Sequence, residues 1–117
     1  MALGFLATKT SSDVLTLSLP ADLVPGFADA LDHLRAGASA EREAELGAVT
    51  AALSAGVTIT ARRDLLGELL AVTIDEAGER VAGAGARLLR GQGGADELRA
   101  ELDALGRMLD LYERVAG

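Results

Sequence analysis

The sequence feature that most constrains the fold is a regular apolar seam near the C-terminus. Apolar or small residues follow one another at spacings of three and four, at Ala95, Leu98, Leu102, Leu105, Leu109, Tyr112 and Ala116. This spacing is typical of a helix that lies along another helix, because residues three and four apart share one helical face. The candidate interface residues are therefore those of the predicted helix seam: Leu98, Leu102, Leu105, Leu109 and Tyr112.

The helix that precedes this seam is predicted to be its partner. Between Thr60 and Arg90, one apolar face comprises Leu66, Leu70, Thr73, Ala77, Val81, Ala84 and Leu88. Residues 91–94 (Gly-Gln-Gly-Gly) form a connector long enough to reverse the chain. Two amphipathic helices around such a loop predict an antiparallel αα-hairpin over residues 61–116. An alternative interpretation is an α+β fold with a β-hairpin at residues 71–84, around the Asp-Glu-Ala-Gly turn.

Residues 20–56 predict two short helices. Asp22 is the expected N-cap of the first helix, which leaves Pro25 in the first turn, where its missing amide hydrogen costs little. Gly37 is expected to end that helix, and Ser39 to cap a second helix that continues to about residue 55.

The N-terminal residues predict a small β element. Residues 1–8 are apolar, residues 9–13 are polar, and residues 14–19 alternate as a half-buried strand does. Residues 1–19 therefore resemble a β-hairpin, which is marginally stable alone and has to pack on helices. Residues 57–60 are either a third strand or an extended linker.

Composition supports a mainly α fold. Half of the 117 residues are apolar, but aromatic residues make up only 3%, and the apolar part is dominated by Ala and Leu, which are strong helix formers. We therefore predict a single domain, 1–117, with a mainly α fold: a helical bundle built on the C-terminal hairpin, with a small N-terminal β element.

Charge narrows the set of partners. The net charge of −7 disfavours nucleic acid, whose binding requires Lys and Arg to neutralise phosphates, and it also disfavours anionic membrane surfaces. No segment has the length of a membrane span or the pattern of a signal peptide, so the expected localisation is cytoplasmic.

No catalytic, cofactor-binding or metal-binding residue is predicted. The chain has no cysteine and one histidine, His33, which Asp29 and Asp32 accompany without any candidate nucleophile. The carboxylates Glu68, Asp75, Glu76 and Glu79 lack the Glu-x-x-His motifs of carboxylate-bridged metal bundles. We expect His33 to lie on the surface and these carboxylates to be solvated.

The predicted function is that of a non-enzymatic helical interaction or assembly module. The apolar faces of the two C-terminal helices are broader than one partner helix can cover, which favours a homodimer, with another protein as a possible partner. The alternative is a small-molecule-binding or sensor protein, with an apolar pocket near Ala77, Ala84 and Gly85. An enzyme that uses the carboxylates with a metal, and an acidic mimic of nucleic acid, are further alternatives.

Overall fold

The computed structural model describes residues 14–116. In chain order, the elements are β1 (Val14–Ser18), a 3-10 turn (Ala21–Leu23), α1 (Val24–Arg35), α2 (Ala40–Ala55), β2 (Thr58–Arg62), α3 (Arg63–Leu89) and α4 (Ala95–Ala116). The protein is mainly α, as the composition predicted.

The helices α3 and α4 form the predicted antiparallel hairpin. Gly91 has φ +72°, a left-handed conformation that favours glycine. Its amide donates to the Leu88 carbonyl at 3.0 Å, and the Gln92 amide donates to the Arg87 carbonyl at 2.8 Å. These two bonds form a Schellman motif, which satisfies carbonyls at the end of α3 and turns the chain toward α4.

The alternative β-hairpin at residues 71–84 is wrong, because α3 runs unbroken through this stretch. Its leucine pairs, Leu65–Leu66 and Leu69–Leu70, are buried, as are Thr73 and Ala77 in the turns that follow. This helical period outweighs the conformational cost of Gly78 within the helix.

The sheet consists of β1 and β2, which pair antiparallel with Leu17 opposite Ile59. Both of these side chains are buried, whereas Thr16 and Thr60 face solvent with their hydroxyls 3.0 Å apart. Residues 57–60 thus belong largely to a strand. The first strand of the predicted N-terminal hairpin, within residues 1–8, lies outside the described residues.

The hydrophobic core is built from elements that pack in layers on α3. The helix α1 packs on α3 and buries Phe27 and Leu31, and α2 packs on α1 and β2, burying Leu46 and Val49. Ser39 caps α2 as predicted, because its hydroxyl accepts from the Arg42 amide at 3.3 Å.

The start of α1 differs from the prediction. The N-cap is Leu23, which makes no side-chain capping bond, although Pro25 does lie in the first turn. Asp22 belongs to the preceding 3-10 turn, and Arg107 of α4 donates to its carboxylate. Asp22 as the N-cap is therefore wrong, because a guanidinium takes the carboxylate that was expected to cap the helix.

The molecule is elongated, with extents of 60 × 28 × 25 Å and a radius of gyration of 16.4 Å. A compact chain of this length has a radius of gyration of about 13 Å. The difference follows from α3 and α4, since 27 helical residues alone span about 40 Å. Because α4 packs chiefly on α3, the end of the hairpin near the loop is a two-helix structure.

Candidate interaction surface

Two adjacent apolar rows run along α4, and the first of them faces the core. This inner seam consists of Ala104, Met108, Leu111 and Val115, which are buried or partly buried within the apolar core. Continued toward the loop, the same 3–4 spacing reaches Glu101 and Glu97. Arg80 donates to Glu101 at 3.1 Å, and Arg87 donates to Glu97 at 2.9 Å, so ion pairs replace apolar contacts there.

The predicted seam is the second row, displaced by one residue toward the C-terminus. We call this row the outer seam: Leu98, Leu102, Leu105, Leu109 and Tyr112. Leu102, Leu109 and Tyr112 are 48%, 44% and 36% exposed, and Leu98 and Leu105 are partly buried.

Leu102, Leu109 and Tyr112 therefore remain partly exposed, so the preceding helix does not fully cover this row. Both rows have the same 3–4 spacing, so periodicity alone does not decide which of them faces α3. Met108, Leu111 and Val115 fill that position instead. That the outer seam forms an interface with another chain remains a prediction.

An apolar groove lies beside the outer seam, between α3 and α4. It has a volume of about 500 Å³ and is lined by Ile74, Asp75, Gly78, Glu79, Ala82, Leu105 and Leu109. No atom lies within 4 Å of the position that a Cβ would take at Gly78. The groove is therefore open along α3, and leucines from α4 form its other side.

A second groove between α3 and α4 is polar. It is lined by Asp29, Glu76, Glu79, Arg80, Gly83, Arg87, Glu97 and Glu101 and has a volume of about 640 Å³. Both of its arginines form ion pairs with glutamates of α4. Since these charges partner one another, this groove offers no uncompensated cluster of positive charge to an anion.

His33 lies on the surface, as predicted, where its side chain is 72% exposed. Its Nδ1 atom is 3.2 Å from Oε2 of Glu76, so its partner is a carboxylate of α3 rather than Asp29 or Asp32. This contact joins α1 to α3.

The candidate carboxylates of α3 do not converge on a metal-binding arrangement. Glu68 pairs with Arg42, and Glu76 lies against His33. Within residues 14–116, no group of three or more His, Cys, Asp or Glu side chains is placed to hold a metal ion.

Two of the three small residues that suggested a ligand pocket between the helices, Ala77 and Ala84, are packed in the interior. Ala77 and Ala84 are each 1% exposed. Gly85 lies on a different side of α3, where a Cβ would meet no atom within 4 Å. The small side chains of Ala77 and Ala84 therefore fit the close approach of α3 to its neighbours.

Ion pairs that perturb carboxylate titration connect the elements around the core. Arg107 lowers the pKa of Asp22, Arg35 lowers the pKa of Glu43, and Arg62 lowers that of Glu45, in each case mainly by donating hydrogen bonds to the carboxylate. Arg62 binds Glu45 through two nitrogens, at 2.6 and 2.9 Å, and thereby joins β2 to α2. The lowered pKa values of these three carboxyl groups are therefore explained by ion pairs that hold the structure together.

The outer seam and the apolar groove form a continuous apolar strip along one side of the hairpin. In the described part of the chain, no helix is both long and apolar enough to cross a membrane. Comparisons with protein-family models, curated proteins and solved structures find no match to this chain. The apolar strip is the strongest candidate functional surface, because it combines exposed leucines with an open groove.

Proposed function

We propose that this protein is a non-enzymatic helical interaction module that forms a homodimer through the outer seam. The observation that carries the proposal is the presence of two adjacent seams on α4. One seam packs within the chain, while Leu102, Leu109 and Tyr112 of the other remain exposed beside the apolar groove.

A four-helix bundle accounts for two seams on one helix. In such a bundle each helix contacts two neighbours, at directions about 90° apart, and needs an apolar row for each neighbour. Adjacent residues on a helix point in directions about 100° apart. The one-residue displacement therefore separates the inner and outer seams by about the angle between two neighbours in the bundle. The hairpin supplies one neighbour for α4, and a second copy supplies the other.

The size of the strip fits a weak, reversible dimer. From Leu98 to Tyr112 the outer seam is about 21 Å long, and two helices side by side are about 20 Å wide. Two copies would bury on the order of 800 Å² in total, which is in the range of small, transient interfaces. Burying apolar area stabilises association by roughly 25 cal/mol per Å², against which the loss of rotational and translational freedom has to be set.

The experiment that tests this function is the molar mass of the protein over a range of concentrations, measured by light scattering or sedimentation equilibrium. We expect a dimer that dissociates on dilution. Leu102→Asp should give a monomer with an unchanged circular dichroism spectrum, because Leu102 is half exposed within the chain.

Ala100→Asp is the matched control. It introduces the same carboxylate at an exposed position of the same helix, away from the outer seam, and it should leave the dimer intact. A wild-type protein that remains monomeric at every concentration would overturn the proposal, as would a Leu102→Asp variant that dimerises as well as the wild type.

A further inference from the structure

We infer that the second copy packs its own α4 antiparallel on α4, outer seam against outer seam, with Arg99 of each copy beside Glu113 of the other. This inference rests on the proposed homodimer and specifies which helices meet in it, in which direction and at which register. The interface is isologous, so every contact between the copies forms twice.

The outer seam has two edges, because residues seven apart lie in line along a helical seam. Leu102 and Leu109 form one edge, and Leu98, Leu105 and Tyr112 form the other. A two-fold axis perpendicular to the helices brings each edge beside the same edge of the second copy. The side chains therefore interdigitate as knobs in holes only when those at one level come from opposite edges.

Two registers meet this condition with most of the seam in contact. In the first, Leu102 is level with the second copy's Tyr112, and Leu105 is level with its Leu109. In the second, Leu102 is level with the second copy's Leu105, and Tyr112 is level with its Ala95. The first register places the three most exposed side chains of the seam, those of Leu102, Leu109 and Tyr112, in the central layers opposite large apolar partners.

The charges beside the seam also select the first register. Arg99 and Glu113 are exposed, and because they are 14 residues apart they lie on the same side of α4. The first register brings Arg99 within about 3 Å, along the helix axis, of the level of the second copy's Glu113. In the second register Gly106 takes that place, and parallel helices would leave Arg99 and Glu113 about 21 Å apart. Opposite charges beside a helical seam set the orientation of the partner, so these two favour the antiparallel first register.

Both charges are available for this contact. Nη1 of Arg99 lies 3.1 Å from Oδ1 of Asp96, but the two side chains are 76% and 98% exposed. An ion pair so exposed contributes little, so Arg99 exchanges it for a new partner at small cost. Within residues 14–116, Glu113 has no ion-pair partner.

The arrangement is compatible with the hairpin. The inner seam of α4 stays on α3, while the outer seam takes α4 of the second copy as its other neighbour. The two α3 helices then lie side by side, and every pair of neighbouring helices is antiparallel, as in an alternating four-helix bundle.

Reversing the charges tests the register. Arg99→Glu places two carboxylates at each contact and Glu113→Arg places two guanidinium groups there, so each should raise the dimer dissociation constant roughly three- to tenfold at low salt. The double variant Arg99→Glu/Glu113→Arg restores opposite charges and should return the constant close to the wild-type value. Since the double variant also lacks the contact of Arg99 with Asp96, its recovery would come from the contact between copies. A double variant as weak as Arg99→Glu would overturn the register.

Cysteine cross-linking tests the direction of the helices, because the chain has no cysteine of its own. Leu102→Cys and Tyr112→Cys are prepared as separate proteins, mixed to exchange subunits, and oxidised mildly. A disulfide requires the two Cα atoms to be about 4.4–6.8 Å apart. In the inferred register residues 102 and 112 of different copies share a level, whereas identical residues are about 15 Å apart along the axis. We therefore expect a cross-linked heterodimer in the mixture and little product from either variant alone.

The other outcomes of the cross-linking are equally decisive. Efficient cross-linking of Leu102→Cys alone would show that the two α4 helices are parallel, and it would overturn this arrangement while the homodimer stands. A mixture that is dimeric by mass but cross-links no more than Ala100→Cys mixed with Tyr112→Cys, the collisional background, would also overturn it. A monomeric mass of the wild-type protein at all concentrations would instead contradict the proposed homodimer itself.

Discussion

Arg107 of α4 and Asp22 of the 3-10 turn form a paired interaction, with Nη1 of Arg107 3.0 Å from Oδ1 of Asp22. Arg107 also lies 3.0 Å from Asp103, one turn earlier on α4. The pair connects two segments 85 residues apart in sequence and ties the middle of α4 to the start of α1. Its strength depends on the ionisation of Asp22, which leads to the first prediction.

Stability should fall in acid as the paired carboxylates become protonated. In the folded protein Arg107 lowers the pKa of Asp22, and Arg35 and Arg62 lower those of Glu43 and Glu45. Because these groups titrate below their unfolded values, their contribution is present above about pH 4 and is lost as the pH falls through the folded values. Urea unfolding between neutral pH and pH 3 should show this decrease, and Asp22→Asn should make it smaller. An equally steep decrease in Asp22→Asn would contradict the role of this pair.

Adjacent residues on α4 should respond differently to truncation. Met108 is 2% exposed in the core and Leu109 is 44% exposed. Met108→Ala should lower the free energy of unfolding by about 2–5 kcal/mol because it leaves a cavity, whereas Leu109→Ala should change it by less than about 1 kcal/mol in dilute solution. Leu109→Ala should instead weaken the dimer. Chemical denaturation and sedimentation, performed on both variants, separate the two effects.

Replacing the open glycines of α3 by alanine should stabilise the protein, because alanine has the higher helix propensity. A Cβ at Gly78 or Gly85 meets nothing within 4 Å, so alanine fits without strain at either position. Gly78→Ala and Gly85→Ala should each raise the free energy of unfolding by about 0.5–1 kcal/mol, measured in dilute solution. Gly91→Ala is the opposing control, because φ at that residue is +72° and the substitution should destabilise the turn.

The cap of α2 should be worth a measurable part of the stability. The Ser39 hydroxyl accepts from the Arg42 amide at 3.3 Å. Ser39→Ala should cost about 0.5–2 kcal/mol of unfolding free energy, and Ser39→Asp should retain most of it, because aspartate caps equally well. Thermal melts of the two variants would test this, and equal destabilisation by both would exclude the capping role.

Local signals in the sequence were sufficient for much of the fold. The helical period of the leucines predicted α3, the glycine-rich connector predicted the reversal, and the serine predicted the cap of α2. Asp22 was misassigned because its partner, Arg107, is 85 residues away in sequence. Likewise, the pairing of β1 with β2 joins Val14 to Arg62, and no neighbouring residue signals such a contact.

The candidate surface was predicted in part. The sequence identified the apolar row of α4, but not its orientation, since Met108, Leu111 and Val115 form an equally regular row one position earlier. Which row faces α3 depends on how α1 and α3 shape the core, and this is a property of the assembled chain.

The limited attachment of α4 has a consequence for its dynamics. This helix packs chiefly on α3, so its backbone amides depend on one neighbour for protection from hydrogen exchange. The proposed dimer would add a second neighbour to this helix. Dilution would then raise the local opening rate of the C-terminal helix before the rest of the molecule responds. The amide exchange rate of this helix would therefore depend on the protein concentration.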